Sequence, residues 1–312
     1  MGKKAALTLD DADPRVIAAR EAEQRLFDFY GLKAKTHYIA LPHLDNTRVR
    51  VNDIGSGKPV LIVPGNTGDG FPLAPLIAQL KGMRLFILNR PGGGLSEGID
   101  HRTVDMRQFA VQTITAVIDA LGLDSVPIVA HSIGGHFSLW TAMDRPDRVS
   151  ALTLLGVPGN IISTRPPFVL RLLAVPILNK ILFKLVRPKS PENALRGLSF
   201  MGHKPEVLNN LPPAMAECYY YFQHLPHYQI SSLSLMESRS AKIKPSELRN
   251  VRQPVQFLWG NNDPFGSVDV GRQIAAAIPV SEFNALEGAG HLPWLDDPVG
   301  CGKLVMDFLE RH

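Results

Sequence analysis

Residues 126–140 read VPIVAHSIGGHFSLW, and their order is strand, sharp turn, helix. VPIVA is a continuous apolar run of strand length, and IGGHFSLWTAMDRP continues as a helix. Between them Ser132 has small residues two positions to either side, Ala130 and Gly134. Small neighbours at that spacing permit a strained strand-to-helix turn that lifts the serine hydroxyl out of the backbone. The turn also sets the hydroxyl at a helix N-terminus, where the helix dipole favours developing negative charge.

The pattern repeats outward from this stretch. PVLIVPG, RLFILNRPG and VSALTLLGV are further buried strands, and PLAPLIAQLKG and VDMRQFAVQTITAVIDALG are helices. Upstream, KTHYIAL and RVRVNDIG form two strands around a polar turn at Asp45 and Asn46. Downstream, VQFLWGNND is a strand, VDVGRQIAAAIP a helix, SEFNALEG a strand, and a last helix runs through LVMDFLERH. Short, fully apolar strands alternating with helices predict an α/β fold with a mostly parallel sheet covered on both faces. The alternation stops near Pro158, and residues 160–248 carry prolines, aromatics and helix-like runs without a further strong strand. The expected organisation is an N-terminal helical extension (1–34), a core (35–159 and 249–312) and a helical insertion (160–248). Asp13 followed by Pro14 is a helix start, which predicts a helix over residues 14–30 of the extension.

Bulk composition excludes several function classes. The 312 residues are 45% hydrophobic and 20% charged, with a net charge of +4, a mild basic bias without the concentrated patch that nucleic acid would require. Cys218 and Cys301 stand in unrelated contexts, so neither a disulfide framework nor a metal-ligand spacing is expected. MGKK has no apolar run behind it, and Ala6 stands where a myristoylation signal needs Ser or Thr. These features predict a cytoplasmic location. They leave the oligomeric state open.

A lone serine is a poor nucleophile and needs a base held by an acid. His291 in EGAGHLPWLDDP follows the last strand on a Gly-rich loop, and Asp263 in LWGNNDPFG follows the strand before it. Chain order Ser132, Asp263, His291 is the order this architecture requires. Asp269, Asp296 and Asp297 are weaker acid candidates, expected as helix caps or solvated side chains. His131 and His136 are expected to be structural.

On these residues the chain resembles the α/β-hydrolase superfamily with a helical lid, the group of esterases, lactonases, carbon–carbon bond hydrolases and cofactor-free haloperoxidases. The resemblance covers roughly residues 35–312 and rests on PGNTG (64–68), NRPGGGLS (89–96), AHSIGG (130–135) and the WGNND and GAGH pair. It implies an α/β-hydrolase fold without a metal or other cofactor. It also implies an oxyanion hole made by the main-chain N–H groups of Asn66 and Ile133. Two departures stand out: Pro64-Gly65-Asn66 replaces the usual His-Gly, and Asn89 and Gly93 replace an acid and an aromatic. Asn66 resembles the haloalkane dehalogenases, but their Asp nucleophile is absent, so dehalogenation is rejected and Asn66 is kept as a pocket residue. Gly93 reads as a tolerated loop change or as extra room near the site.

The insertion holds the specificity candidates. CYYYFQHLPHY (218–228) is the densest aromatic and histidine cluster, and Tyr220, Tyr221 and His224, with Gly65 and Trp294, are candidate substrate contacts. A helix burying one aromatic face against the core explains the same composition. His224 and His227 lack the acidic or cysteine-rich context of a metal site. FVLRLLAVPILNKILFKLV (168–186), with apolar positions such as Phe168, Leu170, Leu173 and Ile181, is broken by Arg171, Pro176, Lys180 and Lys184. It is too interrupted to span a bilayer. Packing on the core is favoured over contact with lipid. The reading that follows is a serine hydrolase cleaving a small-molecule carboxylic ester or lactone. A carbon–carbon bond hydrolase with the same residues is the alternative, as is a small-molecule receptor that keeps them with little turnover.

Overall fold

The computed structural model of the chain describes residues 8–156, 161–165, 168–172, 174–238 and 242–312. Ala6, the Pro158 boundary, Leu173 and the side chain of Leu170 lie outside that description. Eight strands form one sheet: β1 (Ala34–Leu41), β2 (Thr47–Gly55), β3 (Lys58–Val63), β4 (Met83–Leu88), β5 (Val126–His131), β6 (Val149–Leu155), β7 (Val255–Gly260) and β8 (Ser281–Leu286). Their order across the sheet is β1-β2-β4-β3-β5-β6-β7-β8. β2 runs antiparallel to β1 and β4, and every other neighbouring pair is parallel. The turn between β1 and β2 places both Asp45 and Asn46 at positive φ, which short polar side chains tolerate.

Side chains alternate between two cores because successive residues of a strand point to opposite faces. In β3, Val60 and Ile62 pack with α1 (Pro14–Phe29) and with the last helix, whereas Leu61 and Val63 pack with α2 (Met106–Ala120) and α3 (Ile133–Asp144). Helix α1 starts as expected, with Asp13 accepting from the Arg15 amide at 2.8 Å. It buries Glu23 against Arg50 of β2 (2.6 Å) and ties Arg25 to Glu217 (2.7 Å).

Between β6 and β7 the described residues form short helices joined by turns, with one isolated bridge, Ile161 to Ile243. The longer helices here are α4 (Leu178–Val186), α5 (Pro213–Gln223) and α6 (Tyr228–Glu237). α7 (Val268–Ala276) and α8 (Pro298–Arg311) complete the fold. The chain leaves β3 towards β4 and then crosses back to β5 on the other side. Loops diverge at such a reversal and open a crevice at the carboxyl ends of the strands. The loop carrying Asn66 and the turn carrying Ser132 are the two that diverge. No helix among the described residues is long and apolar enough to cross a membrane.

Candidate functional site

Ser132 sits at φ 53°, ψ −123°, a left-handed conformation that a non-glycine residue holds only at a cost of about 1–3 kcal/mol. The surroundings enforce it. Its amide donates to the Leu155 carbonyl (3.1 Å), which ties the turn to β6. Gly134 lies so close to β3 that a Cβ there would stand 2.5 Å from the Pro64 carbonyl oxygen. The serine itself is half-buried, so solvent reaches it.

The three residues singled out from sequence come together in one file. His291 Nε2 is 3.0 Å from Ser132 Oγ, and His291 Nδ1 is 2.7 Å from Asp263 Oδ2. A carboxylate only accepts, so Nδ1 carries the proton and Nε2 of the neutral ring is left to accept from the serine. The other Asp263 oxygen accepts from the Phe265 amide at 2.9 Å. Both the Asp263 carboxylate and the imidazole are closed off from solvent, which strengthens their interaction. Geometrically, this file can take a proton from Ser132 and hold it.

Ile133 opens helix α3, so its amide has no carbonyl one turn behind it. Asn66 is exposed on the rim of an otherwise buried loop, and Gly65 lies against the serine turn. A Cβ at Gly65 would stand 3.2 Å from the Ser132 Cβ and closer still to the His131 ring. The loop is held by Arg90 of the NRPG stretch, whose guanidinium donates to the carbonyls of Pro64 (3.1 Å) and Gly65. Burial lowers Arg90 to about 10, against the pull of Asp69, and it stays charged at neutral pH. Asn89 and Gly93 turn out to be packing positions. Asn89 is buried with its carbonyl accepting from Ser96 (2.7 Å), and a Cβ at Gly93 would stand 2.6 Å from the Gly68 carbonyl oxygen. Gly93 makes no extra room; the neighbouring loop fills the space.

His131 is buried beside His291, with ring centroids 4.9 Å apart, and against the edge of Trp294 at 4.8 Å. Burial, reinforced by the His291 ring, holds it well below the usual histidine range and therefore neutral. Trp294 is fully enclosed, its indole N–H donating to the Pro72 carbonyl at 2.7 Å, so it backs the serine turn.

The aromatic cluster follows the second of its two expected arrangements, a helix that buries one aromatic face against the core. Helix α5 turns Met215, Cys218, Tyr219 and Phe222 inward, and Tyr219 and Phe222 each meet Phe71 at 4.9 Å. Tyr220 and Tyr221 are half-buried and pack on each other, and His224 stacks on Tyr220 at 4.3 Å. The physical reason is helical phase: at 100° per residue, positions one and two beyond an inward residue leave the buried face.

Sequence reasoning missed three contributors. Phe265 stacks on the His291 ring at 4.3 Å and 28°. Asp296, expected to be a cap or solvated, accepts from buried His203 Nδ1 (2.8 Å) and from the Gly290 amide (2.9 Å). The His291 amide donates to the Met201 carbonyl at 2.8 Å, so residues 201–203 clamp the histidine loop. Phe265 was within reach, two positions after Asp263. The other two are tertiary contacts without a local signature. Asp297 is a cap as expected, accepting from the Gly300 amide.

A divergent loop pair at the strand ends thus carries a serine on a strained turn, hydrogen-bonded to a histidine held by an aspartate. The family model for the α/β hydrolase fold matches residues 58–298, and the chain belongs to that family and is a hydrolase. Among curated proteins it is 26% identical over 274 residues to the 2-hydroxy-6-oxononadienedioate/2-hydroxy-6-oxononatrienedioate hydrolase of Klebsiella pneumoniae, covering 85% of this chain and 91% of the relative. Among solved structures it is similar to a carboxylesterase from Bacillus subtilis, with TM-score 0.75, 15% identity, and 96% and 99% of the two chains covered. It is also similar to a meta-cleavage product hydrolase from Pseudomonas fluorescens, with TM-score 0.71, 18% identity, and 88% and 97% covered. The two structural likenesses speak to the fold alone.

Proposed function

We propose that the chain is a serine hydrolase that cleaves a small carboxylic ester or lactone through an acyl-enzyme. The observation that carries this reading is the unbroken hydrogen-bonded file from Ser132 through His291 to Asp263. In the proposed cycle, His291 Nε2 takes the Ser132 proton as Oγ bonds to the substrate carbonyl carbon. The main-chain N–H groups of Asn66 and Ile133 hold the resulting oxyanion, and Asp263 stabilises the imidazolium. Collapse breaks the acyl–oxygen bond, and the alkoxide leaves with the proton from His291. Water then repeats the sequence on the acyl-serine and frees the acid. The segment 160–248 acts in this reading as a lid over the crevice, its Met201 carbonyl and His203 holding the histidine loop.

A second reading, hydrolytic cleavage of a carbon–carbon bond with the same residues, is favoured by the Klebsiella pneumoniae relative, whose name states a 6-oxo dienedioate substrate. Such a substrate presents carboxylates and asks for a sheltered cation near the crevice. Among the described residues between β6 and β7, every lysine and arginine except half-buried Arg187 is exposed, and buried Arg90 is engaged by the Pro64 and Gly65 carbonyls, so the ester reading stands first.

The test is a screen of the purified protein against p-nitrophenyl esters of graded acyl length, lactones and a vinylogous diketo acid. Turnover of an ester or lactone, lost in Ser132→Ala by a factor on the order of 10⁴ or more, is expected. Fluorophosphonate labelling should vanish in the same variant. Undiminished labelling would overturn the role of Ser132, and exclusive turnover of the diketo acid would replace the first reading with the second.

A further inference from the structure

Half of the large apolar side chains that stand exposed on the described surface, seven of 14, fall between residues 168 and 186. Helix α4 organises them. Its inner side is fixed by Asn179, whose Nδ2 donates to Glu237 Oε1 at 2.5 Å, and by Phe183, which meets the Tyr228 ring at 6.0 Å. Counting 100° per residue from those two, the row of Ile181 and Leu185 points the opposite way, with Leu178 beside it. The outer face of this amphipathic helix is therefore apolar, with Ile181 and Leu185 56% and 72% exposed, and Ile177, just before the helix, is exposed as well. Lys180 and Lys184 run along one border of the row, and both are exposed. Across residues 168–189 there are five basic residues and no acidic one.

We propose that the outer face of α4, with its flanking basic residues, docks on the surface of an anionic lipid bilayer. An apolar row bordered by lysines suits that partner, since the row enters the acyl boundary while the ammonium groups stay among the lipid headgroups. Nine residues rise only about 14 Å, so the helix lies in the interface and does not cross it. A second copy of the chain is a poorer occupant, because a two-fold contact through this face would oppose its own cationic border. The proposal is independent of the hydrolytic reading and does not require it.

The experiment is co-sedimentation of the full chain with phosphatidylcholine vesicles, either alone or with about one third phosphatidylglycerol, a composition that gives a negative surface. Binding to the anionic vesicles is expected, weakening with added salt. The pair Lys180→Gln and Lys184→Gln should lower partitioning by about 25-fold. The pair Ile181→Asp and Leu185→Asp should abolish it with an unchanged thermal midpoint, since both positions are exposed. Absence of binding by the wild type, or equal binding by the aspartate pair, would overturn the proposal. So would a wild-type dimer in sedimentation equilibrium that the aspartate pair converts to monomer without any vesicle binding in either protein.

Discussion

The loops at the strand ends and the helical segment between β6 and β7 are built on opposite terms. In the loops, backbone packs closely: Gly93 on the Gly68 backbone, Gly134 on the carbonyls of Val63 and Pro64, and Gly65 on the side chains of His131 and Ser132. Arg90 spends its guanidinium on two loop carbonyls, and Asp263 uses both oxygens. The intervening segment is a run of short helices with apolar side chains turned to solvent. The difference teaches where tolerance lies. The strand-end loops fix backbone atoms relative to one another, whereas the helical segment leaves apolar surface uncovered, and variation in ligand preference is best tolerated there.

Two glycines break this comparison most directly. Gly65→Ala places a methyl group against the His131 ring and 3.2 Å from the Ser132 Cβ. Displacing the serine or the Asn66 amide by even about 1 Å is expected to lower kcat by about 100-fold, measured on whichever substrate of the screen the wild type turns over. Gly197→Ala is the matched change in the helical segment. A Cβ there meets nothing within 4 Å, and the position is helical. Its expected effect is no loss of kcat and a gain of up to about 1 kcal/mol in stability. Equal losses in the two variants would erase the distinction between the regions.

Asp296→Ala probes a place where the regions are stitched together. Its carboxylate joins His203 of the segment to Gly290 of the histidine loop. Removal strands a buried imidazole N–H and a buried amide, at a cost of about 1–3 kcal/mol in denaturant unfolding. A clamp on the His291 loop should lower kcat more than it raises KM. If KM alone moves, residues 201–203 only shape the crevice.

How far each region could be read in advance follows from the same physics. Buried parallel strands are continuous apolar runs, which made β3 to β7 legible; β1, β2 and β8 were legible from their flanking turns, and the helix start from Asp13 and Pro14. Ser132, Asp263 and His291 were legible as a set because each ends a strand, and topology brings strand ends together. The phase of helix α5 was not. Seven aromatic or histidine residues in eleven satisfy several rotations, and Phe71, 150 residues away, selects the one that buries Tyr219 and Phe222. The same holds for His203 and Asp296, a hydrogen-bonded pair spanning 93 positions, and for Glu23, whose partner Arg50 lies on another element. Local periodicity carries no record of such pairings.

His227 sharpens the comparison by pH, with the smallest effect. The side chain is buried, neither ring nitrogen has a hydrogen-bond partner among the described residues, and burial lowers it from 6.5 to about 4. Below 6.5 the unfolded chain takes up a proton that the folded ring refuses until about pH 4. Stability therefore rises with pH across that window and is lost as pH falls through it. His227→Phe removes this linkage and leaves no unpaired ring nitrogen. At pH 7 the variant should match the wild type to within about 1 kcal/mol, the range of a tolerated core exchange. At pH 5 it should gain roughly 2 kcal/mol on the wild type, as measured by urea unfolding at the two pH values. The neutral ring of His131 contributes a linkage of the same sign, so acid sensitivity will persist in the variant with a shallower slope. An unchanged slope would mean that His227 finds water or a partner on titration.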